Sequence, residues 1–285
     1  MTRPESWSPA EAVATLDPET FDRKSGSWAQ SIDLDQARST LRNYPNRSVW
    51  LERAHECVIV GDWRRRPEIA SITGIHAVRF RGNLMCAASE RARQLGLEAI
   101  LFIEWTEVLN PAFYESIGFE VLDAVIPLEI HKRHFSGPSR ATVPIRRLDA
   151  HDPWTLDQLL AIDHAAFDWL WINSQAEFSH VGWSPDVELW GQFAESQLIS
   201  YLETTHYGRW GHIDRLAVHP NWQGQGLGND LTRFGVDRLM SHGAGTVGLS
   251  TQLDNGRSQR LYEKIGFRRS ESNTYRIYGR VFTNR

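Results

Sequence analysis

Two ten-residue stretches of this chain nearly spell the same phrase, "FYESIGFEVL" from Phe113 and "LYEKIGFRRS" from Leu261. Its tyrosines, Tyr114 and Tyr262, stand 148 positions apart in 285 residues, so the copies occupy equivalent places in two halves. A repeat at that period constrains the fold more than any single motif, because both halves must then solve the same packing problem. Two domains of about 140 residues each are the expectation. With 41% hydrophobic residues and 12 tryptophans, there is apolar surface enough for two cores.

The halves meet where the pattern changes. After the apolar run from Val121 to Ile130 comes "HKRHFSGPSRATVP", in which charge, glycine and two prolines replace hydrophobic periodicity. This places one domain over residues 1–135, a linker at 136–141 and a second domain over 142–285. "HKRH" itself contains no acidic or sulfur ligand, so it reads as a solvated basic linker, and no metal is expected. A formal net charge of −4 gives no global attraction for nucleic acid or an anionic membrane, and neither is an expected partner. There are two cysteines, Cys57 and Cys86, no apolar core in "MTRPESWSPAEAV" and no apolar run long enough for a bilayer. The expectation is a cytoplasmic protein with reduced thiols.

The second half reads as an ordered series. "VPIRRL" is a strand, Trp154 to Phe167 a helix, and Val187 to Phe193 and Leu198 to Glu203 are strands of a meander continued by "GHIDRLAV". A long helix starts at Leu227 and stops at "SHGAG", and strand "TVGLSTQ" follows. A short helix from Asn255 ends at Gly266, before closing strands around Phe267 and from Tyr275 to Phe282. The chemistry concentrates where the fourth strand gives way to the long helix. There Gly224, Gly226 and Gly228 alternate, and free amide N–H groups with no side chains in the way form a cradle for an anion such as a pyrophosphate. The spacing is not that of a dinucleotide fold, nor of a P-loop, which wants lysine then serine or threonine after its last glycine.

Q-x-x-G-x-G after "VHP", followed by a helix, a strand and "DNGRSQRLYEKIGF", closely resembles the GNAT superfamily of acyl-CoA-dependent N-acyltransferases over nearly all of residues 142 to 285. The resemblance implies an α/β (α+β) fold of two tandem GNAT-like domains, each a mixed, mostly antiparallel sheet flanked by helices. It implies acetyl-CoA as acyl donor, its pyrophosphate held by backbone amides of Gln223, Gly224, Gln225, Gly226, Leu227, Gly228 and Asn229. Leu216, Ala217 and Val218 would pair with the pantetheine arm, and Asn255 and Tyr262 would line the thioester end.

Such a transfer needs three services. An alkylamine, with a reference pKa of about 10.4, must lose a proton before it attacks a thioester at neutral pH. The thioester oxygen gains negative charge, which the amide of Ala217 or Val218 at the strand end can stabilise. The departing CoA thiolate, from a thiol of pKa about 8.5, is a fair leaving group that the Tyr262 hydroxyl assists as an acid. For the base, "HID" places His212 and Asp214 two apart on a strand, hence on one face. His212 falls where many GNAT enzymes place a glutamate base. Glutamate is absent there, so His212, Asp214 and a water chain stay open as the proton's route. In the last 31 residues eight Lys and Arg against two Glu, among them Arg257, Arg260 and Lys264, offer steering for an anionic cofactor.

The first half repeats the fold without the loop. "GNLMCAASERARQLGLEAILFIEW" and "NPAFYESIGFEVL" match the later helices and strands, but Gly82 alone stands where the second half has three glycines. Asn110 precedes Tyr114 by four positions, whereas Asn255 precedes Tyr262 by seven. This is a degenerate copy that supports the active half or walls its acceptor site. Trp169, Trp171 and Trp183 in "FDWLWINSQAEFSHVGW" suit an apolar or aromatic amine, although packing would use tryptophan equally. Cys57 in "CVIVG" and Cys86 on a helix have no histidine at a telling spacing, which argues against an acyl-cysteine intermediate. The leading expectation is an N-acetyltransferase that moves an acetyl group to a primary amine of a small molecule by direct attack in a ternary complex. The alternatives are a protein or peptide N-acetyltransferase, which needs an open groove, and a non-catalytic CoA-binding module, which needs neither base nor acid.

Overall fold

The computed structural model describes residues 13–105, 111–138, 141–181, 184–270 and 274–282. Up to His131 the chain forms β1 (Ala14–Thr15), α1 (Pro18–Lys24), α2 (Leu34–Asn43), β2 (Val49–Leu51), β3 (Glu56–Trp63), β4 (Arg66–His76), α3 (Arg81–Gln94), β5 (Ala99–Glu104), α4 (Pro111–Ser116) and β6 (Glu120–His131). It then forms β7 (Ile145–Arg147), α5 (Pro153–Ala166), α6 (Gln175–Val181), β8 (Val187–Ala194), β9 (Gln197–Tyr207), β10 (Trp210–Val218), α7 (Leu227–Ser241), β11 (Thr246–Gln252), α8 (Gly256–Ile265), β12 (Arg268–Arg269) and β13 (Tyr275–Val281). Apart from the two-residue β12, the runs share one order of strands and helices, as the repeated phrase requires.

The compact units do not follow the sequence halves. One comprises Met1–Asp123 with Tyr275–Arg285, the other Ala124–Thr274. In the first, strands lie in the order β1, β2, β3, β4, β5, β13, and in the second β7, β8, β9, β10, β11, β6. β4 runs parallel to β5 and β10 parallel to β11. The closing strand of each sheet comes from the other sequence copy: β13 sets Ile277 opposite Ile103 of β5, and β6 sets Leu128 opposite Leu249 of β11. The basic, proline-bearing stretch at 136–141 therefore lies inside the second unit. The alternating Ile126, Leu128 and Ile130 of β6, which precede it, are buried in the second unit's core.

Strand alternation explains the apolar runs. Cys57 and Ile59 of β3 face Phe21, Trp28 and Leu41, whereas Val58 and Val60 face Leu84, Met85 and Ala88 of α3. With both faces covered, "CVIVG" has no place for a polar side chain. Burial pushes the Cys57 thiol up to about 12, which makes it a poor nucleophile. In the second unit α7 covers one face through Leu231, Val236 and Leu239, and α5 covers the other through Leu159 and Ile162. Asp152 starts α5 by accepting from the Thr155 amide at 2.9 Å, with Pro153 in the first turn. Such a cap contributes about 1 kcal/mol and fixes where the helix begins, hence where its far end delivers Ala166 and Phe167.

Candidate active site

Strand β10 creates the site by breaking two regularities. Against β9, Ile213 faces Thr204 and Arg215 faces Glu203, which leaves Asp214 as an extra residue. In a regular strand Ile213, Arg215 and Ala217 would share a face. Instead Ile213 and Leu216 belong to the core under α7, and Ala217 to the core under α5. The second break is from β11, with which β10 pairs only from Trp210 opposite Thr246 to Ile213 opposite Leu249. The released edge opens a cleft of about 570 Å³, lined by Leu216, Ala217 and Val218.

The turn after β10 forms one wall. Gly224 and Gly226 have φ of 84° and 89°, a region that side-chain-bearing residues rarely adopt. A Cβ on Gly226 would meet nothing within 4 Å, so open space lies over the amides that begin α7. The first helical amides have no intrahelical acceptor. Those of Leu227, Gly228 and Asn229 border the cleft together with Gln223, Gly224 and Gly226. Gln223 Nε2 donates to the Val218 carbonyl at 3.1 Å while its Oε1 accepts from Arg257, which ties the strand end to α8.

Helix α8 forms the facing wall. Asn255 caps it, its Oδ1 accepting from the Ser258 amide at 3.1 Å. Asn255, Arg257, Ser258, Leu261 and Tyr262 all line the cleft. Tyr262 is buried, its ring edge-on to Phe267. Burial pushes its phenol above the ordinary value, so the hydroxyl keeps its proton across the neutral range. No protein group among the described residues shares a hydrogen bond with it.

The third wall is the connection from α5 to α6, through Ala166, Phe167, Asp168 and Trp171. Beneath it lies a buried ionic cluster. Asp163 Oδ2 accepts from Arg215 Nε at 2.5 Å and from the Tyr201 hydroxyl, and its Oδ1 accepts from the Asn173 amide at 2.7 Å. Arg215 also donates to the Trp171 carbonyl at 2.5 Å and lies 3.9 Å over the Phe167 ring. Burial holds the Tyr201 phenol well above its usual value. Three donors and a stacked ring compensate the desolvated charges and fix the wall in place.

Residues 154–267 match the family model for the Acetyltransferase (GNAT) family. Over that stretch the chain is similar to the GNAT family. The N-alpha-acetyltransferase 30 of Schizosaccharomyces pombe is 35% identical over 68 residues, 24% of this chain and 45% of that protein. A mycothiol acetyltransferase of Mycobacterium sp. (strain MCS) is 28% identical over 233 residues, 74% of this chain and 70% of its own length. One from Corynebacterium glutamicum (strain R) is 26% identical over 141 residues, so the chain spans about half the length of the first curated relatives it matches. The structure of a tandem GNAT protein from the clavulanic acid biosynthesis pathway superposes with a TM-score of 0.58 at 14% identity, covering 95% of this chain and 98% of that one. That likeness speaks for the tandem GNAT fold.

Within this GNAT frame, most of the residues expected from the loop motif meet in one cleft, with Gln225 absent from its lining. His212 and Asp214 also lie off the lining. They do meet each other: His212 Nδ1 is 2.8 Å from Asp214 Oδ1, and Thr205 Oγ1 donates to Asp214 Oδ2 at 2.7 Å. An ionised carboxylate only accepts, so in a neutral imidazole this contact puts the ring proton on Nδ1 and leaves Nε2 as acceptor. Arg257 borders the cleft, whereas Arg260 and Lys264 line a separate one with Arg268 and Arg269. Of the aromatic candidates Trp171 reaches the cleft and Trp169 does not; Trp183 and Asn110 lie outside the described residues. The motif did not single out Asp163, Tyr201 or Arg215. Their signal was charge at positions where periodicity demands burial, Asp163 within "LLAIDHAAF" and Arg215 within "IDRLAV".

Proposed function

We propose that the second unit is an acetyl-CoA-dependent N-acetyltransferase acting on a primary amine of a small molecule. The observation that carries this is the convergence, on one cleft, of open helix amides, a released strand edge and a buried, unpartnered tyrosine hydroxyl. The space over Gly226 and the nearby Arg257 guanidinium fit an anionic donor group. Amides of residues 223–229 would hold the pyrophosphate, and the free edge of β10 at residues 216–218 would pair with the pantetheine arm. As the amine nitrogen bonds to the thioester carbon, the amide of Ala217 or Val218 stabilises the developing oxyanion. The carbon–sulfur bond then breaks, and Tyr262 gives its proton to the thiolate. The amine's proton goes to the His212–Asp214 pair, through water because the pair stands back from the cleft. Relatives named mycothiol acetyltransferase support a small-molecule acceptor, and the relative named N-alpha-acetyltransferase 30 keeps peptide amines as the second reading. Among the described residues no helix is long and apolar enough to cross a membrane.

The test is thiol release from acetyl-CoA across a panel of small amines and short peptides, with Gly226→Glu as control. Amine-dependent release that this substitution abolishes is expected. Release that ignores every amine, or that survives Gly226→Glu, sinks the assignment.

A further inference from the structure

The first unit keeps the machinery that opens a cleft in the second. Strand β4 carries the same kind of bulge, with Ile59 facing Gly74 and Val60 facing Ile72, so that Thr73 is the extra residue. It pairs with β5 only from Ile69 opposite Ala99 to Ser71 opposite Leu101, yet runs on to His76. Helix α3 then starts after β4 as α7 starts after β10. What sits on the amides before the helix is different.

The end of β4, His76, lies opposite Cys57, and the end of β10, Val218, lies opposite Ser200. One residue earlier on the partner strand is Glu56 in the first unit and Ile199 in the second. Glu56 is 5% exposed. Its Oε1 accepts from the Arg79 amide at 2.9 Å and its Oε2 from the Phe80 amide at 2.8 Å, one oxygen to each donor. Arg79 and Phe80 directly precede α3, the places that Gln225 and Gly226 hold before α7. A buried carboxylate needs donors, and amides at a helix start supply both hydrogen bonds and positive potential. At the far end of the same unit the Tyr114 hydroxyl donates to Glu104, whereas the Tyr262 hydroxyl has no protein partner among the described residues.

We propose that Glu56 is an internal stand-in for a phosphoryl group, so that the first unit is an anion cradle liganded by its own chain and the protein has one acyl-CoA site, in the second unit. The second half of that statement rests on the function proposed above; the first does not. Calorimetry with acetyl-CoA on the full chain should give one site, and none in Gly226→Glu. Inorganic pyrophosphate then probes the first unit alone, in the Gly226→Glu background. With Glu56 intact, millimolar pyrophosphate should leave the melting temperature unchanged. Adding Glu56→Ala should lower that temperature, and pyrophosphate should restore roughly 3 °C or more. An equal gain with Glu56 intact, or no gain in the double variant, overturns the proposal. If Glu56→Ala does not accumulate, Glu56→Gln keeps one acceptor and should show a smaller fall with a smaller gain; behaviour identical to Glu56 counts against us. Two acetyl-CoA per wild-type chain and one in Gly226→Glu would overturn this proposal while sparing the function. No binding to the wild type would sink the function, and the pyrophosphate comparison would still decide on Glu56.

Discussion

Tyr114 and Tyr262 stand in the same phrase on equivalent helices, yet one hydroxyl is bonded to a carboxylate and the other faces a cleft. The contrast extends along both units. In the first, Glu56 covers the amides before α3 and Glu104 holds the tyrosine; in the second, those positions stay open. A donor left open forgoes a stabilising bond of about 1 kcal/mol, and a buried one forgoes more. Scaffolds therefore close such donors, and binding sites keep them for a ligand. Bulge, parted strands and tyrosine describe a shared fold; whether the donors are closed distinguishes the unit we propose as support from the one we propose as catalytic.

The comparison breaks most severely if the chain is cut where its composition changes. Residues 142–285 lack β6, so β11 loses its partner from Thr246 opposite His131 through Gln252 opposite Val125, while β13 is kept without β5. That fragment should fail to fold, and 124–274 should unfold cooperatively in denaturant. A cooperative transition in 142–285 would show that the strand exchange is dispensable.

The next effect sets one buried carboxylate against the other. Asp163 is paired with an arginine, whereas Glu56 is hydrogen-bonded by backbone amides. Arg215→Met should destabilise the second unit by about 3–5 kcal/mol, because it strands a charge in the core. Arg215→Lys keeps the charge but loses the planar fork and the stacking on Phe167, and should cost less. Glu56→Ala, which strands only amides, should cost about 1–3 kcal/mol. Denaturant titration of the three variants checks the order, and a larger loss from Glu56→Ala than from Arg215→Met would contradict it.

A smaller effect separates the tyrosines by function. Tyr262→Phe should lower turnover about 10- to 100-fold with acetyl-CoA affinity nearly unchanged, since the thiolate leaves slowly without an acid. Tyr114→Phe should keep turnover within about twofold. Steady-state kinetics with an amine found by the thiol-release panel checks both, and equal losses would erase the distinction.

The sequence carried the site unevenly, for physical reasons. Glycines at 224, 226 and 228 are visible because a backbone conformation and an open approach restrict residue type. Tyr262 was visible through its motif. The exchange of β6 and β13 was not, since strand alternation says that a face is buried but not which strand pairs beside it. The bulge at Asp214 was invisible for a similar cause: one extra residue resets the two-residue period without changing composition. In sequence Glu56 is one charge beside the apolar run "CVIVG". Only the fold brings it to amides 23 and 24 residues away.

The smallest effect lies at alkaline pH, where the two phenols differ in cause. Burial comes first for both, and for Tyr114 the bond to Glu104 and its charge add to it. Unfolded phenols ionise near pH 10 and the folded ones higher, so above about pH 10 the unfolded chain holds fewer protons and stability falls as pH rises. Below that pH neither phenol contributes a slope. Just above it the loss should be about 1 kcal/mol or less for each phenol, and each phenylalanine variant should remove its share. Glu104→Gln should bring the Tyr114 titration part-way down and leave Tyr262 unmoved, as read by ultraviolet absorbance of the folded chain. A Tyr262 that ionised near pH 10 would mean that water reaches it freely. Its hydroxyl would then hold no advantage over water as a proton donor, and the second unit would owe its chemistry to the amide cradle and the released strand edge alone.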